Sequence, residues 1–310
     1  MKNHLLILAV LGLGACSGDT AVGAQANQAK DCTDCPPMAE IAGGRFEMGE
    51  TVDYGYGPMD GPRHGVTVPS FALAKYEVTR AEYGRFVKES GYVPERKCNI
   101  YKDDAKWFID PERTWDAPGF AQKDDEPVVC ISWNDTQAYI AWLNKKTGQN
   151  YRLPSEAEWE YVASRGGQGA SGVITHDEAN IGKAKCCGGL ASGKDRWVYT
   201  APVGSFPADR FGLHDIRGNV WEWQADCYHN DYAGAPVDGS PRTKDCGSPD
   251  HRAVRGGSYG DAAEYMLPTS RLPGPRGEGY FTVGFRLASD GAARSGAACP
   301  CVISLLRFQK

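Results

Sequence analysis

The sequence predicts an α+β domain that is loop-rich, with low regular secondary structure. Two observations predict it. The 310 residues include 38 glycines, 8 tryptophans and 15 tyrosines, which couples tight turns to large aromatic anchors. Helical periodicity is confined to residues 79–167, and short strand-like runs lie on either side of it. Hydrophobic residues make up 41% and charged residues 24%, an ordinary balance for a folded domain. A unit of about 250 residues buries roughly three quarters of its unfolded surface, so a sizeable core needs no staples. The formal net charge is −5 and Lys and Arg are scattered. No basic stripe exists to bind nucleic acid.

The chain opens with Lys2 and an apolar run from Leu5 to Leu13, followed by Leu13-Gly14-Ala15-Cys16. Such a run is too short for a permanent membrane helix. Small residues before a cysteine resemble the lipobox of bacterial lipoproteins. Residues 1–15 are therefore expected to be a signal peptide, and Cys16 the lipidated residue. Several acyl chains give stable anchoring where one does not. By resemblance to enteric lipoproteins, Ser17 in place of an Asp favours the outer membrane over the inner one. This implies a cell-envelope lipoprotein facing the periplasm. Residues 16–37 are mostly small and polar and read as a flexible tether.

The compact domain is expected over 38–290. "MAEIAGGRFEMGE" reads as strand, glycine turn and strand, and "HGVTVPSFALAKYEVT" as another strand pair. Three helices follow. The first starts at Thr79 with Glu82 completing a capping box, and ends near Gly91. The second runs from about Asn134 to Gly148, with Ala138, Trp142 and Leu143 on one face. The third carries a Ser155/Glu158 box, turns Trp159 and Val162 inward, and stops at Gly166-Gly167. Beyond residue 167 only short strands and loops are expected. Residues 291–310 read as a low-order tail whose "VISLL" is far too short to span a membrane.

Export permits disulfides. Eleven cysteines less Cys16 leave an even ten. Cys227 and Cys246 flank a polar loop and are expected to close it, worth about 3 kcal/mol in the chain-entropy model. Cys98 and Cys130 are expected to close the insertion that carries Trp107 and Trp115. Connectivity of Cys32, Cys35, Cys186, Cys187, Cys299 and Cys301 stays open. The Cys32/Cys35 pair lies in the tether, without the strand–helix context of a redox motif. The histidines show no metal spacing.

Five stretches arrive in order: "GGRFEMG" from 43, "PVVCISWNDTQAYIAWLN" from 127, "YRLPSEAEWEYVASRGG" from 151, "GLHDIRGNVWEW" from 212, and "RGGSY" with "GFRLA" between 255 and 288. Together they resemble the formylglycine-generating enzyme, or sulfatase-modifying factor, family. The resemblance implies a C-type lectin-like fold. On the residues alone, Glu222 between Trp221 and Trp223 is a semi-buried acid that wants a cation or several donors. The resemblance implies two structural calcium ions. The first would take Asn180 and Asp195 side chains with Ile181 and Trp197 carbonyls. The second would take Asp215 and Glu222 with Gly218 and Val220 carbonyls. Mixed carboxylate and carbonyl oxygens suit calcium.

The same resemblance carries a sharper test. Oxygen-using members bind Cu(I) with two cysteines shortly after the Arg-Gly-Gly-Ser turn, and soft thiolates are what Cu(I) selects. Here no cysteine occurs between Cys246 and Cys299. Without gaps, Asp261 and Met266 stand in the thiol places, and an Asp replaces neither ligand nor thiol. No copper is expected. The expected role is a membrane-anchored binding or assembly protein for a peptide, glycan or protein ligand, with oligomeric state undetermined. The alternative is a divergent oxidase or a peptide- or siderophore-tailoring enzyme of the periplasm, with Arg255, Ser258, Asp261 and Arg271 as groove candidates. Sulfoxide-synthase relatives use an additional histidine-bearing domain, for which this chain has no room. Formylglycine generation on sulfatases is the least favoured reading.

Overall fold

The computed structural model describes residues 32, 34–50, 61–102, 106–166, 174–182 and 190–290. The chain divides into two compact units, Met1–Asp34 and Cys35–Lys310. The signal segment, Cys16, Cys186, Cys187 and the 291–310 tail lie outside the described residues. In the first unit Cys32 takes part in a disulfide, as Cys35 does in the second.

The second unit carries thirteen short strands and three α-helices among its described residues. In chain order these are β1 Met38–Ile41, β2 Gly44–Met48, β3 His64–Val68, β4 Phe71–Ala74, α1 Arg80–Ser90, β5 Cys98–Lys102, β6 Lys106–Asp110, α2 Trp133–Thr147, β7 Tyr151–Arg152 and α3 Glu156–Arg165. They continue with β8 Trp221–Cys227, β9 His251–Arg255, β10 Arg271–Pro275, β11 Gly279–Tyr280, β12 Val283–Gly284 and β13 Ala288–Asp290. The α+β, loop-rich expectation holds.

Each helix starts where its local chemistry dictates. Thr79, Ser132 and Ser155 accept from the backbone N–H three residues on, and Glu82, Asp135 and Glu158 return the bond. Two otherwise orphaned donors are satisfied at each start. Gly91 and Gly148 end α1 and α2 in left-handed conformation, at φ 67° and 70°, where a Cβ would be strained. The start of α2 lies one residue earlier than its apolar pattern suggests, because Ser132/Asp135 is a capping box with Asp in the usual Glu place.

Four small sheets share the strands. One runs β1-β4-β13-β7 and joins the start and end of the domain, with Ala288 opposite both Leu73 and Arg152. A second runs β10-β9-β8-β12, the third β11-β5-β6, and β2 pairs with β3. The expected strand pair over "HGVTVPSFALA" is corrected here: β3 and β4 enter different sheets, β3 with β2 and β4 with β1. The Pro69-Ser70 break sends them apart, since Pro has no N–H for a ladder.

Two large apolar clusters, with a smaller one around Met266, fill the interior among the described residues. One gathers Phe71, Leu73, Val162 and the fully buried Trp159; the other gathers Tyr83, Phe86, Tyr139, Trp223 and Phe285. Truncating one such ring to Ala costs about 3–5 kcal/mol. The Cys98–Cys130 bridge, with Cα atoms 4.9 Å apart, ties β5 to the approach of α2. Cys227–Cys246, at 4.7 Å, closes the loop between β8 and β9.

Candidate functional site

β9 delivers the Arg-Gly-Gly-Ser turn. Gly256 and Gly257 take φ of 109° and 76°, which only glycine adopts without strain. A Cβ on Gly257 would also strike the Met266 thioether. The turn leaves Ser258 fully buried, with its hydroxyl donating to Asp261 Oδ2 and accepting from Gly260 N at 3.2 Å. Trp221, the first residue of β8, donates Nε1–H to the same Asp261 oxygen at 2.8 Å. Burial holds the Asp261 carboxyl above its usual range, and the hydrogen bonds from Ser258 and Trp221 partly offset this. Met266 is packed against Ile174, Ala179 and Ile181. Ser258 and Asp261 are thus brought together. The local chemistry is a hydroxyl and a carboxyl, both hard oxygen groups, with an indole N–H; the Met266 thioether beside Gly257 is soft, but no thiol is among these groups.

Tyr259 carries this turn outward. Its hydroxyl donates to Phe281 O at 2.9 Å, and its ring meets Phe120, Tyr199 and Phe281 edge-on at 5.9, 5.8 and 6.1 Å.

Arg255 and Arg271 do not line an open groove, and the sequence-based expectation for them is corrected. Both guanidinia are buried against one face of α3. Arg255 pairs with Glu160 and also donates to Thr269 O at 3.0 Å. Arg271 grips both oxygens of Glu156 at 2.8 and 2.6 Å, between the rings of Tyr228 and Tyr232 at 4.5 Å each. Glu156 and Glu160 stand four residues apart and so share a helix face. That spacing inside "EAEWE" was the available signal for the pair. Arg271, Glu156, Asp226 and His229 line a cavity of about 20 Å³, room for about one water.

Matching against family models identifies residues 24–291 as a sulfatase-modifying factor enzyme 1-like domain. The chain belongs to this family. A formylglycine-generating enzyme of Streptomyces coelicolor is 31% identical, covering 84% of this chain and 91% of the relative. An inactive C-alpha-formylglycine-generating enzyme 2 of Bos taurus is 30% identical, covering 83% and 89%. The solved structure of PvdO from Pseudomonas aeruginosa is 34% identical with a TM-score of 0.68, covering 84% of this chain and 97% of that one. This family member therefore keeps the frame while Asp261 and Met266 occupy the segment after its Arg-Gly-Gly-Ser turn.

The first calcium set fits a cation in one respect. Asn180 Oδ1 is buried without a hydrogen-bond partner, while its Nδ2 donates to Tyr199 O and to Asn219 Oδ1. Asp195 accepts from Ile181 N and Trp197 N, each at 3.1 Å, and contacts His176 Nδ1 at 3.0 Å. Asp195 Oδ2 is filled by Ile181 N and His176 Nδ1, while Oδ1, accepting from Trp197 N, keeps a second lone pair.

The second set does not fit as expected. Glu222 is wholly buried, and Arg286 holds both its oxygens through contacts of 2.6–2.8 Å, with Trp159 Nε1 adding a donor at 3.0 Å. Four donor contacts fill a carboxylate's usual acceptor positions. The cation that Glu222 wants is a guanidinium of this same chain. Asp215 is held by Gly204 N at 2.7 Å, and burial pushes its carboxyl up to about 6. Glu77, also buried, adds a third carboxylate beside Arg286, and burial followed by Asp215 raises its pKa well above the ordinary value. Nothing in the local sequence around Glu77 signals this.

Proposed function

We propose that this family member is an exported, lipid-anchored binding or assembly protein of the cell envelope that does not perform copper-dependent formylglycine generation. The observation that carries this reading is the Ser258–Asp261–Trp221 cluster. A buried carboxylate, committed to an indole and a hydroxyl, stands where the chemistry needs a free thiol. The frame would present its loops to a peptide, glycan or protein ligand. Cleavage after Ala15 and acylation of Cys16 would hold it at the outer membrane, facing the periplasm. No helix among the described residues is long and apolar enough to cross a membrane. One structural calcium would sit on Asn180 and Asp195, with the carbonyls of Ile181 and Trp197. The unpartnered Asn180 Oδ1 supports that assignment.

A second reading, a divergent tailoring enzyme, is favoured by one observation. Asp261 has a raised carboxyl pKa beside the Ser258 hydroxyl, an arrangement suited to moving a proton. Cu(I) competition against a chromophoric chelator tests the primary reading. The expected result is no stoichiometric Cu(I) binding. Tight binding of one ion per chain would refute the reading.

A further inference from the structure

We propose that Asn219 is the positioning residue of the first cation site and ties that site to the turn at Ser258, so that calcium held by Asn180 stabilises the turn. The proposal rests on the assignment of calcium to Asn180 and Asp195 and names what that ion would control.

Asn180 and Asn219 are each 1% exposed, so the polar atoms of both amides need partners. Backbone groups with fixed roles orient the Asn219 amide. Ala201 N donates to Asn219 Oδ1 at 2.9 Å, while Asn219 Nδ2 donates to Ala201 O at 3.3 Å and to Glu77 Oε1 at 3.0 Å. Reversing this amide would set donor against donor and acceptor against acceptor. Asn219 Oδ1, so placed, also accepts from Asn180 Nδ2 at 3.2 Å, and Tyr199 O takes the other Asn180 hydrogen at 2.8 Å. Both hydrogens of Asn180 are therefore spent. Its Oδ1 is left buried without a hydrogen-bond partner, and a carbonyl-type oxygen is what calcium takes from an amide. Asn219 thus acts as a second layer behind the ligand, fixing which end of Asn180 is presented.

The backbone carries the link onward. Asn219 adopts a left-handed φ of 60°, which Asn tolerates better than most residues. Its N–H donates to Asn180 O at 2.9 Å, and its carbonyl accepts from Tyr259 N at 2.8 Å. Gly218 permits this approach, since a Cβ there would lie 2.6 Å from Asn180 O. Gly218 N donates to Gly256 O at 2.9 Å, and Gly182 N donates to Asp261 O at 2.7 Å. Residues 180–182, 218–219 and 256–261 are stitched together by these bonds, and Ser258 and Asp261 lie inside the third segment. An ion that binds only the arrangement in which Asn180 is held this way stabilises the segments bonded to it.

The test uses the full chain in detergent, stripped of metal and titrated with calcium, read by calorimetry and by hydrogen exchange on peptic fragments. Wild type is expected to bind calcium, and the ion should slow amide exchange across 256–261 more than in α1, the reference helix. Asn219→Gly removes the amide without straining the left-handed backbone. It should weaken calcium binding by about tenfold or more and abolish the calcium-dependent protection of 256–261. Wild type that binds calcium without selective protection of 256–261 would overturn the proposal and leave the calcium assignment standing. So would Asn219→Gly that binds calcium as tightly as wild type. If this variant does not fold, the wild-type exchange decides alone. Wild type that binds no calcium would refute the assignment itself, and this proposal with it.

Discussion

The indole of Trp221 donates to the carboxylate of Asp261 at 2.8 Å, and Ser258 donates to the same oxygen. One acceptor therefore satisfies two buried donors. Asp261→Ala leaves both orphaned, at about 1–3 kcal/mol for each unpaired group. Asp261→Asn retains an acceptor and should cost less. Urea unfolding measures this, and a wild-type midpoint for Asp261→Ala would contradict the assignment.

Arg286 is the counter-charge for Glu222, and Glu77 and Asp215 lie close enough to raise its pKa as well. Removing it by Arg286→Met leaves buried carboxylates uncompensated, which is expected to destabilise the fold by about 3–5 kcal/mol. The double variant with Glu222→Gln should recover part of that loss. With Glu222→Gln alone completing the cycle, losses that simply add would show that the pair is not coupled.

Asp226 gives the stability a pH dependence of known sign. Burial, then the neighbouring Glu156 carboxylate, pushes its carboxyl from 3.8 up to about 7. Above pH 3.8 the folded state holds this proton more tightly than the unfolded chain. The contribution of Asp226 to stability therefore falls as pH rises towards about 7, and is level above it. Asp215, raised to about 6, acts in the same direction. Glu156, whose pKa is lowered on balance because Arg271 and Arg255 outweigh its burial, loses its stabilisation only in the acid range. Urea titrations between about pH 5 and 8 should give a smaller decline for Asp226→Asn than for wild type. An unchanged slope would show that Asp226 titrates normally.

Calcium on Asn180 and Asp195 predicts a metal-dependent melting temperature, since a ligand that binds only the folded state stabilises it. Chelation should lower the melting temperature of wild type and leave Asn180→Ala unaffected. Elemental analysis showing no calcium in the purified protein would remove the assignment.

Lipidation at Cys16 is tested by metabolic labelling with a fatty-acid analogue. The label should be present in wild type and lost in Cys16→Ala. Equal labelling of the two would refute the anchor.

Most of the frame was legible because its signals are local. The boxes Thr79/Glu82 and Ser155/Glu158 define helix starts within four residues, and Gly91 and Gly148 define the ends. The inward positions of Trp159 and Val162 follow from periodicity. Strand partnership was less legible, because β3 turns back to β2 while β4 lies between β1 and the distant β13. The site divided in the same way. The absence of cysteine after Ser258 is a fact of sequence, and so is the proximity of Ser258 to Asp261. The fate of Glu222 depends on Arg286, 64 residues away, and that of Arg271 on Glu156, 115 residues away. Residues 255 and 271 looked available because their partners lie on a helix that sequence order does not bring near.

The central claim is that Asp261 stands where formylglycine generation needs a thiol. It is tested most directly by aerobic incubation of the purified chain, supplied with Cu(I), with a peptide containing Cys-X-Pro-X-Arg, followed by mass spectrometry. The expected result is an unmodified peptide cysteine. Enzyme-dependent appearance of the aldehyde product would contradict the account.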